Sequence, residues 1–65
     1  MREFHELEPG LRLFLRGIPL ELLYQVDADD RRQVWLCRPL FVDEPDRIEI
    51  FRPGVRYPLL HSRQP

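Results

Sequence analysis

The chain has 65 residues, and its 10 arginines and 11 acidic residues leave a formal net charge of −1. This length allows one domain, which buries only about 60% of the surface that the unfolded chain exposes, so docking on a partner could add to its stability. A single cysteine excludes an internal disulfide, and two histidines are too few for a usual structural zinc cluster. No apolar run approaches the roughly 20 residues that span a bilayer, so we expect a cytoplasmic protein without membrane insertion, with the cytoplasmic surface of a membrane complex as a variant.

The first part of the chain predicts a β-hairpin. Residues 1–8 mix charged and apolar side chains and are predicted to be a flexible lead-in, which ends at the turn signal Pro9-Gly10. Residues 11–16 alternate strictly between leucine and other side chains, as a half-buried strand does. A link at residues 17–19 contains glycine and proline, and alternation resumes over residues 20–26. Two alternating runs joined by such a link are typical of a hairpin.

The remainder predicts further antiparallel strands. Residues 27–31 are polar and favour a loop, and residues 32–40 follow as a central strand that carries the only tryptophan and the only cysteine. Acidic residues and a proline at 43–46 indicate the next turn. Residues 47–52 alternate again, and residues 55–57 are a short last strand. Sequential strands with short loops usually pair with their neighbours.

Four or five short strands with regular turn signals predict an all-β fold, a small antiparallel SH3-like barrel that forms a single domain over residues 1–65. A second flexible end is expected at about residues 61–65. An open meander that a partner completes is an alternative, and an OB-type barrel is another. Pro39 interrupts the central strand and therefore implies an edge or a bulge near the end of that strand.

The alternation assigns the apolar residues to two faces. The face predicted to be the core carries aliphatic residues and one tyrosine: Leu13, Leu15, Leu20, Leu22, Tyr24, Val26, Val34, Leu36, Ile48 and Ile50. The opposite face carries Phe14, Leu23, Trp35, Cys37 and Phe51, surrounded by Arg12, Arg16, Arg38 and Arg52.

An apolar patch with an arginine rim is typical of a contact surface. We therefore predict partner-binding residues of two kinds, the apolar Phe14, Leu23, Trp35 and Phe51 and the polar Arg12, Arg38 and Arg52. The opposing interpretation stays open at this point. In it a bent strand or the terminal segments cover the patch, and Trp35 belongs to the core.

Other functions have weaker signals. The aromatic and arginine residues could bind single-stranded nucleic acid, but the many carboxylates would oppose approach to phosphate. Cys37 with His5 or His61 could act as a nucleophile and base, yet both histidines lie in the predicted ends. The acidic segments 27–30 and 43–46 lack the ligand spacing of a calcium-binding loop, so we interpret them as solvated turns. We therefore predict no catalytic residue, no cofactor and no metal site.

Three segments carry a resemblance to a known group of proteins: Trp35-Leu36-Cys37-Arg38-Pro39-Leu40, Phe51-Arg52-Pro53 and Pro58-Leu59-Leu60. They resemble short uncharacterised cyanobacterial proteins in which a WxRPL-like strand precedes an FRP…PLL ending. Here an additional residue separates the tryptophan from Arg38, and the last segments are closer together. The resemblance implies a small protein attached to a larger photosynthetic assembly, at the thylakoid surface or in the cytoplasm.

Together these observations predict a non-catalytic protein–protein interaction module, an accessory or regulatory subunit that docks on another protein or a larger complex. Nucleic-acid binding is the alternative function. An exposed edge strand could also pair with its own copy and form a homodimer.

Overall fold

The computed structural model describes residues 2–60, with side chains described from residue 5 onward, and it confirms the all-β class. A 3-10 turn covers Phe4–Glu6, and the strands are β1 (Arg2–Glu3), β2 (Arg12–Leu15), β3 (Ile18–Ala28), β4 (Gln33–Pro39), β5 (Arg47–Phe51) and β6 (Arg56–Tyr57). Strands β2 to β5 form one antiparallel sheet in sequence order, and β1 pairs with β6. This sheet is not closed into a barrel, since no pairing joins β5 to β2 in the described part of the chain. No helix within residues 2–60 is long and apolar enough to cross a membrane.

The hairpin between β2 and β3 turns earlier than predicted. Leu15 pairs with Ile18, so the loop is only Arg16 and Gly17. Both have positive φ, 52° and 80°, which is the type I′ geometry that matches the twist of two-residue hairpins. Residues 18 and 19 of the predicted link therefore belong to β3.

Two prolines determine where the ladder between β3 and β4 ends. Pro19 accepts a hydrogen bond of 3.0 Å from the Leu40 amide but has no N–H to return one. Hydrogen-bonded and non-hydrogen-bonded residue pairs alternate along antiparallel strands. The next pair, Leu20 with Pro39, is therefore not hydrogen-bonded, and the Pro39 nitrogen points away from β3. On that side β5 has already ended, since its last pair with β4 is Arg47 with Cys37. The edge predicted at Pro39 is confirmed.

Two irregularities in β3 decide which side chains face the core. Leu22 pairs with Cys37, but the next pair is Tyr24 with Leu36, so Leu23 is an extra residue on β3. Such a bulge shifts the alternation by one residue and moves the side chains that follow it, Tyr24 and Gln25, to the opposite faces. A second shift follows between Gln25 and Asp27.

The buried face is consequently the one that carries the tryptophan. The core consists of Leu13, Leu15, Leu20, Leu22, Trp35, Cys37, Phe51 and Tyr57. Leu13, Leu15, Leu20 and Leu22 confirm the prediction.

The rest of the predicted core was wrong. The exposed residues are Tyr24, Val26, Ile48 and Ile50, whereas Val34 and Leu36 are only partly buried on the opposite face. The reason is the pair Leu22 with Cys37, because directly opposed residues of antiparallel strands point to the same side.

The C-terminal segment covers the outer edge of β2. The Phe14 amide donates to the Pro58 carbonyl at 2.9 Å, and the Leu60 amide donates to the Arg12 carbonyl at 3.0 Å. The Tyr57 ring packs edge-on against Phe51, with centroids 5.0 Å apart. This segment closes the core beside β2 and leaves β5 as the other edge of the sheet.

The burial of Trp35 predicts a large effect of Trp35→Ala on stability. Trp35 is 2% exposed, and its Nε1 donates to Gln33 Oε1 at 2.9 Å, so truncation leaves a cavity and should cost about 3–5 kcal/mol. In so small a domain this loss should unfold much of the protein at 25 °C. Urea unfolding followed by circular dichroism measures the change in free energy.

Tyr24→Ala is the matched control, since this aromatic ring is 57% exposed. We expect Tyr24→Ala to change the free energy of unfolding by less than about 1 kcal/mol. Equal stability of the two variants would contradict the assignment of Trp35 to the core.

Candidate functional site

The outer face of the sheet, opposite the core, carries a continuous set of apolar side chains. Tyr24, Leu36 and Ile48 are directly opposed on β3, β4 and β5 and form one row across the sheet. Val34 and Ile50 form the adjacent row. Opposed side chains in such rows lie about 5 Å apart, and the two rows lie about 7 Å apart along the strands. We call these five residues the outer patch.

The outer patch is open to solvent. Tyr24 is 57% exposed and Ile48 is 52% exposed, while Ile50 is 39% exposed. Val34 and Leu36 are partly buried between their neighbours in the middle of the sheet. An antiparallel sheet with one solvated face normally places polar residues there. The outer patch departs from that rule at every one of its positions.

Charged residues border the outer patch at one end. Arg12, Glu21 and Arg38 are opposed on β2, β3 and β4 and form the next row on the same face. Arg12 Nε lies 3.4 Å from Glu21 Oε1, and Arg38 Nε lies 3.9 Å from Asp46 Oδ1. Both arginine side chains are about half exposed. These ion pairs are long and exposed, so they add little stability and leave the guanidinium groups able to contact other groups.

The structure divides the residues that were predicted to bind a partner. Arg12, Arg38 and Phe14 lie on the outer face, Phe14 opposite Pro19. Arg52 is exposed just beyond the end of β5.

The other three predicted contact residues do not form an exposed patch. Trp35 and Phe51, 2% and 0% exposed, lie in the core, so their predicted place on a contact surface was wrong. Leu23 lies at the bulge and is half-buried. Of the three aromatic residues named for base stacking in the nucleic-acid alternative, only Phe14 lies outside the core.

The sequence pattern predicted that the residues of the outer patch belong to the core, because β4 and β5 carry apolar side chains on both faces. Two signals could have corrected this. Trp35 and Phe51 have large aromatic rings, which bury more apolar area in a small core than aliphatic side chains do. Three large residues in succession, Leu22 to Tyr24, also break the alternation and indicate a bulge.

An ionic cluster lies on the inner face at the β5 edge. Glu49 has a side chain only 13% exposed, and its two carboxylate oxygens meet Arg16 at 3.2 Å and Arg47 Nε at 2.8 Å. The Arg16 contact joins the β2–β3 turn to β5 across the open side of the core. Arg47 Nε is buried and, despite this short distance, has no partner in hydrogen-bond geometry. The cluster therefore places opposite charges side by side on the edge strand.

Cys37 lies next to this cluster and is a buried free thiol. Burial, with a contribution from the Glu49 carboxylate, raises the pKa of Cys37 from 9.0 to about 12, although Arg47 acts in the opposite direction. The thiol is therefore protonated at neutral pH, which opposes its use as a nucleophile. Its suggested base His5 is exposed, and His61 lies outside the described residues.

The acidic segment after β3 is organised by its own backbone. Asp29 Oδ1 accepts hydrogen bonds from the amides of Arg31 and Arg32, at 2.7 and 3.0 Å. This arrangement is a local turn. Residues 2–60 contain no group of three or more side chains placed to hold a metal ion.

No family model, curated protein or solved structure matches the chain. Functional inference therefore depends on the surface itself.

The pKa of Cys37 predicts slow alkylation of the folded protein. At pH 8 a thiol with a pKa of about 12 has roughly a thousandfold less thiolate than one at 9.0. Iodoacetamide should therefore label Cys37 slowly in buffer and rapidly in 6 M guanidinium, as mass spectrometry would show. Stability should also fall between pH 9 and 12, because the unfolded chain loses the thiol proton first. Equal labelling rates in both solvents would contradict the burial of Cys37.

Proposed function

We propose that the chain is a non-catalytic protein–protein interaction module, an accessory or regulatory subunit that docks on a larger protein assembly through the outer patch. The observation that carries this proposal is the apolar row of Tyr24, Leu36 and Ile48 across β3, β4 and β5, beside the pair of Val34 and Ile50 on β4 and β5. Asp27 occupies the β3 position of the second row. Three large apolar side chains in these rows remain 39–57% exposed. Contiguous apolar surface of this kind on a small protein usually marks an interaction site.

The composition of the surface supports a protein partner. The centre of the outer patch is aliphatic, Tyr24 adds an aromatic ring with a polar hydroxyl, and the row of Arg12, Glu21 and Arg38 supplies a charged rim. Protein interfaces commonly combine an apolar centre with a polar rim that contains arginine. A partner with an apolar surface and carboxylates at its margin would satisfy both parts.

The proposal also includes the compartment, the kind of assembly and the SH3-like arrangement that the sequence predicts. We place the protein in the cytoplasm, where a free thiol such as Cys37 persists. A photosynthetic complex is the assembly that the resemblance to cyanobacterial proteins favours. We also keep an SH3-like arrangement, which the pairing of residues 58–60 with the edge of β2 supports.

The test of the proposal is loss of the partner on Tyr24→Lys. Tagged wild-type and variant chains are recovered from their native cells, and associated proteins are quantified by mass spectrometry after nuclease treatment. A charge in the outer patch should reduce the recovery of a specific partner by about tenfold or more, because lysine cannot be buried unpaired at an apolar interface.

Phe41→Lys is the matched control. Phe41 is 79% exposed, but it lies in the turn after β4, beyond the apolar rows. This variant should keep the partner. Full recovery of all partners with Tyr24→Lys would overturn the proposed surface, and association that nuclease abolishes would favour the nucleic-acid alternative.

A further inference from the structure

Strand β5 is an open edge of the sheet with a defined set of unpaired backbone groups. The hydrogen bond from Leu40 to Pro19 shows that even-numbered residues of β4 direct their backbone groups to β3. Odd-numbered residues of β4 therefore face β5, and their partners Arg47, Glu49 and Phe51 bond inward. It follows that the N–H and C=O groups of Ile48 and Ile50 point out of the sheet edge.

The same alternation directs the backbone of Arg52 outward, and there the edge is closed. The Arg52 amide donates to the Tyr57 hydroxyl at 2.9 Å, and the hydroxyl lies 3.4 Å from the Arg52 carbonyl. The open part of the edge therefore ends at Ile50. In the described part of the chain no strand pairs with it.

We propose that β5 pairs in antiparallel fashion with β5 of a second copy of this chain, in the register that places Ile48 opposite its own symmetry mate. The two-fold axis then passes between the two Ile48 residues. Ile48 of each copy exchanges two backbone hydrogen bonds with its mate, and Ile50 pairs in the same way with Asp46 of the other copy. Two four-stranded sheets become one continuous eight-stranded sheet.

Charge selects this register. It places Arg47 of each copy opposite Glu49 of the other on the inner face, so unlike charges are opposed and extend the cluster of Arg16, Arg47 and Glu49. Opposite charges across a strand pair stabilise it and like charges destabilise it.

Neighbouring registers that keep the faces aligned are less favourable. A shift in one direction opposes Glu49 to Glu49, and a shift in the other opposes Arg47 to Arg47. A register centred on Ile50 would oppose Ile48 to Arg52, whose backbone groups already bond to Tyr57.

The dimer goes beyond the proposed docking function, which uses the face of the sheet and not its edge. Pairing at Ile48 would join the row of Tyr24, Leu36 and Ile48 to the same row of the second copy. The two outer patches would then form one apolar surface of twice the length, suited to a partner that is itself two-fold symmetric or elongated.

Disulfide trapping tests the register in the purified full chain. Opposed residues in a hydrogen-bonded pair have Cα atoms about 5.5 Å apart, within the range that a disulfide can bridge. Ile48→Cys should therefore form a covalent dimer under mild oxidation. Ile50→Cys is the matched control, because its own symmetry mate would lie about 13 Å away along the strand. Cross-linking of Ile50→Cys alone, or of both variants equally, would overturn the register.

Sedimentation equilibrium tests the dimer without oxidation. Wild type should dimerise with increasing concentration, and Ile48→Lys should weaken dimerisation by at least about tenfold because two lysines would face each other. Tyr24→Lys should leave dimerisation unchanged while it loses the docking partner, and circular dichroism would verify that both variants fold. A wild-type chain that stays monomeric would overturn the dimer. That result would leave the docking proposal to its own test with Tyr24→Lys.

Discussion

The pairing of Leu22 with Cys37 is the constraint on which the arrangement of side chains depends. Leu22 belongs to the leucine-rich face that β2 and the start of β3 bury, so its cross-strand neighbour is buried as well. Continuous alternation along β4 then buries Trp35, and the pairing of β4 with β5 brings Phe51 to the same side. Large side chains thereby fill the small core of this 65-residue chain.

The bulge at Leu23 is the second part of this constraint. Without it, the alternation that buries Leu20 and Leu22 would also bury Tyr24. The extra residue moves Tyr24 to the outer face, where it completes a row with Leu36 and Ile48. A single local irregularity therefore supplies the aromatic residue of the outer patch, as bulges often re-aim a side chain near a functional surface.

The two proposed interactions use different properties of the same strands. The outer patch offers apolar area on the face of β3, β4 and β5, whereas the edge of β5 offers unpaired backbone groups and an alternation of Arg47 and Glu49. Exposed edge strands are usually protected by charge, proline or a covering segment. Here residues 58–60 cover the edge of β2, and Tyr57 closes the end of β5 at Arg52, while Ile48 and Ile50 remain open.

Sequence by itself determined the all-β class, the bounds of β2 to β6 to within a few residues, the turn near Gly17 and the edge at Pro39. These follow from local chemistry, because alternation, glycine and proline act within a few residues of chain. It also assigned Leu13, Leu15, Leu20 and Leu22 to the core correctly, since leucine recurs at alternate positions there and charged residues such as Arg12 and Glu21 stand between them.

Only the tertiary structure decided which face of β4 and which face of β5 is buried. Both faces of these strands are apolar, so burial of either Trp35 or Ile48 was compatible with the sequence pattern. The choice depended on the register of β4 against β3 and of β5 against β4. That register is set by packing between strands that are distant in sequence and by the bulge at Leu23.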